Sequence, residues 1–154
     1  MLEKTMNEET TFFEISEGGN FIRIDLIGFN SPNAELDWDK NWIKGFVKVK
    51  AGSFSGEFKA DFMTVDFESF KNEMAKLYYK LTGIATFYTL EEQVVVKITG
   101  DGIGHLKADC VVMDYVGVGN QLEFEINFDQ THIPKILNQL EKITTRFPKI
   151  GGLK

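Results

Sequence analysis

Leu122, Phe124, Ile126 and Phe128 alternate with Glu123, Glu125 and Asn127. A period of two is the mark of a strand with one face buried and the other wet. The pattern recurs. Ile22, Ile24 and Leu26 oppose Arg23 and Asp25. Ile43, Val47 and Val49 oppose Lys44, Lys48 and Lys50. Phe54, Phe58 and Phe62 oppose Glu57, Lys59 and Asp61. The runs 11–15, 84–90, 93–99 and 104–115 complete a set of about eight strands. Short turns join them: Glu17-Gly18-Gly19-Asn20, Ala51-Gly52-Ser53, Glu91-Glu92, Asp101-Gly102 and Gly117-Val118-Gly119-Asn120. Strands joined this tightly pair antiparallel.

Two segments change period. Phe67, Phe70, Met74, Leu77, Tyr78 and Leu81 recur at helical spacing, with Asp66 as the expected N-cap and Gly83 as the expected stop. Ile133, Ile136, Leu137, Leu140, Ile143 and Phe147 form a second stripe. Asp129 or Thr131 caps it, Pro134 fits its first turn, Arg146 suits its last turn and Pro148 ends it. The order ββββα-ββββα predicts an α+β domain. Its antiparallel meander of about eight strands carries two amphipathic helices on one face. The opposite face is then solvated or used for binding. At 154 residues the chain reads as a single domain. Residues 1–9 and 149–154 are expected to be flexible tails.

Composition narrows the function classes. Cys110 is the only cysteine, so no intrachain disulfide forms, and its apolar neighbours make it a small core residue. The charged N-terminus lacks an apolar leader, and no stretch is long enough to span a bilayer, which predicts a cytoplasmic location. A net charge of −6 disfavours nucleic acid and anionic membranes as partners and suits a basic protein. Mild acidity also serves solubility alone, so charge by itself decides little.

Catalytic patterns are missing from the sequence. His105 and His132 are far apart. His105 and Asp109 share a strand face, as a surface hydrogen-bonded pair or as part of a metal site, and the first reading is favoured. Gly100-Asp101-Gly102-Ile103-Gly104 precedes no helix, so it reads as a hairpin turn rather than a phosphate cradle. No Gly-x-Ser-x-Gly elbow occurs. Lys44, Lys48 and Lys50 with Phe46 make a weak basic stripe that a solvated strand edge explains. The chain is therefore expected to be non-enzymatic, with no cofactor and no metal. The edge at 11–15 is a candidate for pairing with a second copy.

Both tryptophans fall in Asp37-Trp38-Asp39-Lys40-Asn41-Trp42, where a loop covering 28–40 gives way to a strand. Tryptophan at a loop edge packs or binds something. The candidate partner-binding residues are Glu35, Asp37, Trp38 and Asp39, an aromatic anchor ringed by carboxylates.

Four segments, taken in order, carry a resemblance: Asp39-Lys40-Asn41-Trp42, Gly52-Ser53-Phe54-Ser55-Gly56, Gly104-His105-Leu106 and Phe128-Asp129-Gln130-Thr131. The set, spanning about residues 20 to 148, resembles the WapI family of bacterial immunity proteins. The resemblance implies a cytoplasmic protein that binds and neutralises the C-terminal toxin domain of a neighbouring contact-dependent or polymorphic toxin. It implies no catalysis and no cofactor. The toxin domain is expected to be basic, nucleases being one such kind. Trp42, Gly104 and the 128–131 segment also have plain structural readings as core, turn and helix cap. The competing readings are a small-ligand binding α+β domain with a pocket between sheet and helices and, third, an unidentified hydrolase, since 23 acids always include close carboxylate pairs.

Overall fold

A computed structural model describes residues 11–151. Sheet A contains β1 (Thr11–Glu17), β2 (Asn20–Phe29), β3 (Trp42–Ala51) and β4 (Phe54–Met63). A short helix, α1 (Asp37–Lys40), lies in the β2–β3 connection, and α2 (Thr64–Lys80) follows β4. Sheet B contains β5 (Thr82–Tyr88), β6 (Val94–Asp101), β7 (His105–Met113) and β8 (Gln121–Asp129). A 3-10 turn (Gln130–His132) leads into α3 (Ile133–Arg146). The expected α+β meander order is the observed one. The eight strands divide into two four-stranded sheets because α2 intervenes between β4 and β5.

The alternation places most of the core as expected, but Phe54, at the hairpin end of β4, is 66% exposed and Phe58 is half-buried. Ile22, Ile24, Ile43, Val47, Phe62, Val96, Ile98 and Ala108 are wholly buried on the inward faces. Phe13, Phe62, Phe67, Phe70 and Phe87 cluster there; Phe67 and Phe87 have ring centroids 5.1 Å apart, and Phe13 meets Phe70 edge-on at 5.4 Å. Each such ring contributes about 2–3 kcal/mol through burial. Cys110 lies in this core, and burial pushes its thiol up to about 12.

The helices exchange sheets. The α2 helix, which follows sheet A, lies along β5, while α3, which follows sheet B, lies along β1. Glu73 of α2 accepts a hydrogen bond from the edge amide of Thr86 at 2.7 Å. Gln139 of α3 accepts from the edge amide of Glu14 at 2.9 Å. Arg146 of α3 donates to Thr11 Oγ1 and to the Ile27 carbonyl, both at 2.8 Å. The β1 edge expected to be open to a second copy is thus covered by α3. Each ββββα half thus has its edge strand covered by the other half's helix.

Three local expectations are corrected. Helix α2 begins at Thr64, and Asp66 is its third residue, whose carboxylate accepts from the Met63 amide at 2.8 Å. That is half of a capping box, so Asp66 works from inside the first turn. Leu81, with φ 63°, makes the left-handed stop, and Gly83 already belongs to β5. The lysines of β3 stand on the outer face of an interior strand, with β2 and β4 on either side. They mark a wet face, and not a sheet edge.

Candidate functional site

The β2–β3 connection is built on Asn41. Its position in the alternation matches Ile43, Gly45 and Val47, so the side chain points inward and is completely buried. A buried amide must find partners for its donors and its acceptor. Asn41 Nδ2 donates to the Asp37 carbonyl at 2.7 Å and to the Ile150 carbonyl at 3.0 Å. Its Oδ1 accepts from the Ile150 amide at 2.8 Å. The Asn41 carbonyl accepts from the Thr64 amide at 3.2 Å. One side chain therefore ties α1 to the chain beyond α3, and its backbone joins the start of α2. Of the expected tails, residues 1–9 and 152–154 lie outside the described residues, while Ile150 is held by Asn41.

That anchor presents the candidate residues to solvent. Trp38 is 42% exposed and Leu36 66% exposed. Glu35 and Asp37 are exposed, and Asp39 is half-buried. Lys40 Nζ lies 3.4 Å from Asp37, an exposed pair of small energetic weight. Trp42 is half-buried at the start of β3. The structure therefore keeps Glu35, Asp37 and Trp38 together on one exposed knob.

Trp42 and Asp39 line an open cleft of ≈ 320 Å³ with Asn30, Ser31, Ala34, Asp61 and Glu91. Asp61 comes from β4, and Glu91 from the β5–β6 turn. Asn30 Nδ2 donates to Asp61 Oδ1 at 2.9 Å, which fixes one wall. Sequence reasoning missed Asn41, Asp61 and Glu91. Asn41 was detectable as a polar residue at an inward position. Asp61 and Glu91 were not, because only the approach of sheet B to β4 brings them beside Asp39. Gln93 makes part of that approach, donating through Nε2 to the carbonyls of Met113 at 3.1 Å and Lys59 at 3.4 Å.

A second open cleft, of ≈ 390 Å³, gathers both histidines with Glu17, Leu106, Asn127, Phe128 and Asp129. His105 does not pair with Asp109. Its Nδ1 lies 2.9 Å from Asp101, at the β6–β7 turn. Asp101 also accepts from the Ile103 and His105 amides, and the Ile103 hydrogen bond above all pulls its carboxyl down to about 2. This settles the glycine-rich segment as a hairpin turn closed by an aspartate. His132 Nε2 lies 3.0 Å from Glu17, and its Nδ1 3.6 Å from Asp129, a link between sheet A and sheet B. Asp129 also accepts from the Thr131 amide at 3.0 Å, which caps the 3-10 turn rather than α3 itself, whose N-cap position is His132. Among the described residues no group of three or more His, Cys, Asp or Glu side chains is disposed to hold a metal ion.

Comparison with known proteins adds three findings. The model of a family described as "Immunity protein WapI-like family" matches residues 12–148. No curated protein matches the chain. Among solved structures, a chain from "Crystal structures of trypanosoma bruciei MRP1/MRP2" is similar, with a TM-score of 0.53 over 94% of this chain and 90% of that chain. The two are 8% identical, so the likeness concerns the fold alone.

Proposed function

The chain belongs to the immunity protein WapI-like family, and from that premise we propose that it is a cytoplasmic immunity protein. It binds and neutralises the C-terminal toxin domain of a neighbouring contact-dependent or polymorphic toxin. It acts by occupying the toxin's surface, without catalysis and without a cofactor. The toxin domain it meets is basic, as a nuclease would be.

The observation that carries this reading beyond the family is the anchored acidic knob. Trp38 and Leu36 stand in solvent beside Glu35 and Asp37, on a turn that Asn41 holds through the Asp37 carbonyl and ties to Ile150 by two further side-chain hydrogen bonds. Binding energy at protein interfaces concentrates in such aromatic anchors, and less is lost on binding when the anchor is already fixed. The surrounding carboxylates, with a net charge of −6 on the chain, would raise the association rate with a basic partner.

Among the described residues, neither of these two clefts gives a small-ligand site comparable support. Ligand pockets enclose most of the ligand and are lined largely by apolar groups. Both clefts here open broadly to solvent, and each has only two apolar liners, Ala34 and Trp42 in one, Leu106 and Phe128 in the other.

The test is calorimetric titration with the C-terminal domain of the large secreted protein encoded beside this chain. Nanomolar 1:1 binding is expected. Replacing Trp38 and Asp37 by alanine should weaken it by more than ~1 kcal/mol without moving the melting curve. Unchanged affinity would remove the knob from the interface.

A further inference from the structure

The outer face of sheet B carries an apolar row that neither the core nor the acidic knob uses. Tyr88 of β5 stands opposite Val95 of β6, and Val95 opposite Val111 of β7. All three point away from the buried face, since Phe87, Val94, Val96, Cys110 and Val112 take the inward positions. Tyr88 is 52% exposed and donates its hydroxyl to Glu92 at 2.6 Å, while Val95 and Val111 are half-buried. The next row, Thr86, Lys97 and Asp109, is polar, so the apolar strip is confined to one end of the sheet.

Two loops extend the strip at that end. The Met113 amide donates to the Gln93 carbonyl at 2.9 Å, which sets the β5–β6 and β7–β8 connections side by side. The first exposes Leu90 at 57%, and the second exposes Tyr115 at 69% and Val118 at 81%. Single exposed apolar residues are ordinary, but a contiguous exposed patch marks an interaction site.

The β7–β8 loop is fixed rather than loose. Asp114 accepts from the Asn120 amide at 2.7 Å and from Asn120 Nδ2 at 3.2 Å. The Gly119 amide donates to the Tyr115 carbonyl at 3.0 Å, and any side chain at Gly119 would collide with the Tyr115 backbone. Tyr115 and Val118 are therefore held out in solvent at little further entropic cost to a partner.

We propose that this end of sheet B is a second half of the toxin-docking surface, which rests on the immunity reading above. It joins the acidic knob through Glu91, which lines the same cleft as Asp39 and Trp42. The occupant it fits is a protein face with an apolar centre and a lysine or arginine rim. Glu123 stands opposite Val111, and Glu91, Glu92 and Asp114 lie in the two loops. Glu92 already accepts from the Tyr88 hydroxyl and Asp114 from Asn120; all four offer negative charge to those cations, while Glu91 and Glu123 are placed to pair with them. A second copy of this chain fits poorly, because a two-fold contact would set these acids against each other.

The experiment titrates the unsubstituted chain and two variants with the C-terminal domain of the adjacent secreted protein. One variant is Tyr115→Ser with Val118→Ser, and the other is Val111→Lys. Both change outward side chains, and an unchanged melting curve confirms their folding. Each is expected to bind roughly tenfold more weakly or worse. If the unsubstituted chain binds and both variants bind equally well, this surface is wrong and the immunity reading stands. If the unsubstituted chain does not bind, both ideas fall together. Sedimentation of the chain alone supplies the remaining outcome: a dimer dissolved by Tyr115→Ser with Val118→Ser would assign the patch to a second copy and overturn the proposal.

Discussion

Asn41→Ala gives the sharpest test of how the acidic knob is held. The substitution removes three hydrogen bonds, at 2.7, 3.0 and 2.8 Å, from a side chain that is 0% exposed. Each such bond contributes about 0.5–1.5 kcal/mol net, so the loss should be roughly 2–4 kcal/mol. For a chain of this size that corresponds to a fall in Tm of about 5–15 °C. Urea unfolding measures the free energy directly, and the Ile150 amide should lose its protection from hydrogen exchange in the same variant. Asn41→Asp separates hydrogen bonding from shape. A carboxylate can still accept from Ile150 but faces the carbonyls of Asp37 and Ile150 without a proton to donate. It should be at least as damaging as alanine. A loss below ~0.5 kcal/mol for Asn41→Ala, or an aspartate as stable as the native residue, would refute the anchoring argument.

Other expectations follow from single residues. Burial raises the Asp66 carboxyl to about 6, against the lowering effect of the Met63 amide. The folded state therefore holds a proton that the unfolded state releases near pH 4, and stability contributed by this group falls as pH rises from about 4 to 6. Asp66→Asn should flatten that slope in urea melts at pH 4.5 and 7.5, with a gain of about 1–2 kcal/mol at the higher pH; an unchanged slope would count against it. Cys110, with its thiol pushed up to about 12, should not react with an aromatic disulfide reagent while the chain is folded and should react fully in denaturant. Rapid labelling of the native protein would contradict its burial. A Cβ at Gly100 would lie 2.5 Å from the Leu81 carbonyl, which also accepts from the Gly102 amide at 2.8 Å. Gly100→Ala should therefore destabilise by about 1–3 kcal/mol in the same melts, and a neutral result would mean the helix stop can shift freely.

The alternating runs fixed which residues face inward. Ile43, Val47 and Val49 are buried and Lys44, Lys48 and Lys50 are wet, because a strand repeats every two residues wherever it is placed. The helical stripe likewise placed Phe67, Phe70, Met74 and Leu77 in the core, although Tyr78 of the same stripe is 45% exposed and Leu81 is half-buried. Helix ends were less legible. Asp66 and Gly83 have the right chemistry near the ends, but capping depends on a turn of backbone that neighbours can shift by two or three residues. The Trp38 knob was visible as composition, and the second half of the proposed surface was not.

From sequence alone came the order of elements, the sides of each strand, the acidic balance and the pair of tryptophans. These depend on local periodicity and on residue chemistry, which one chain displays without folding. Tertiary structure alone decided that the meander splits into two sheets and that each helix seals the edge of the other half's sheet. It also brought Asp61 and Glu91 to Asp39, and His132 to Glu17. Those meetings join residues distant in the chain, and they are set by how two buried faces pack against each other, which no local pattern encodes.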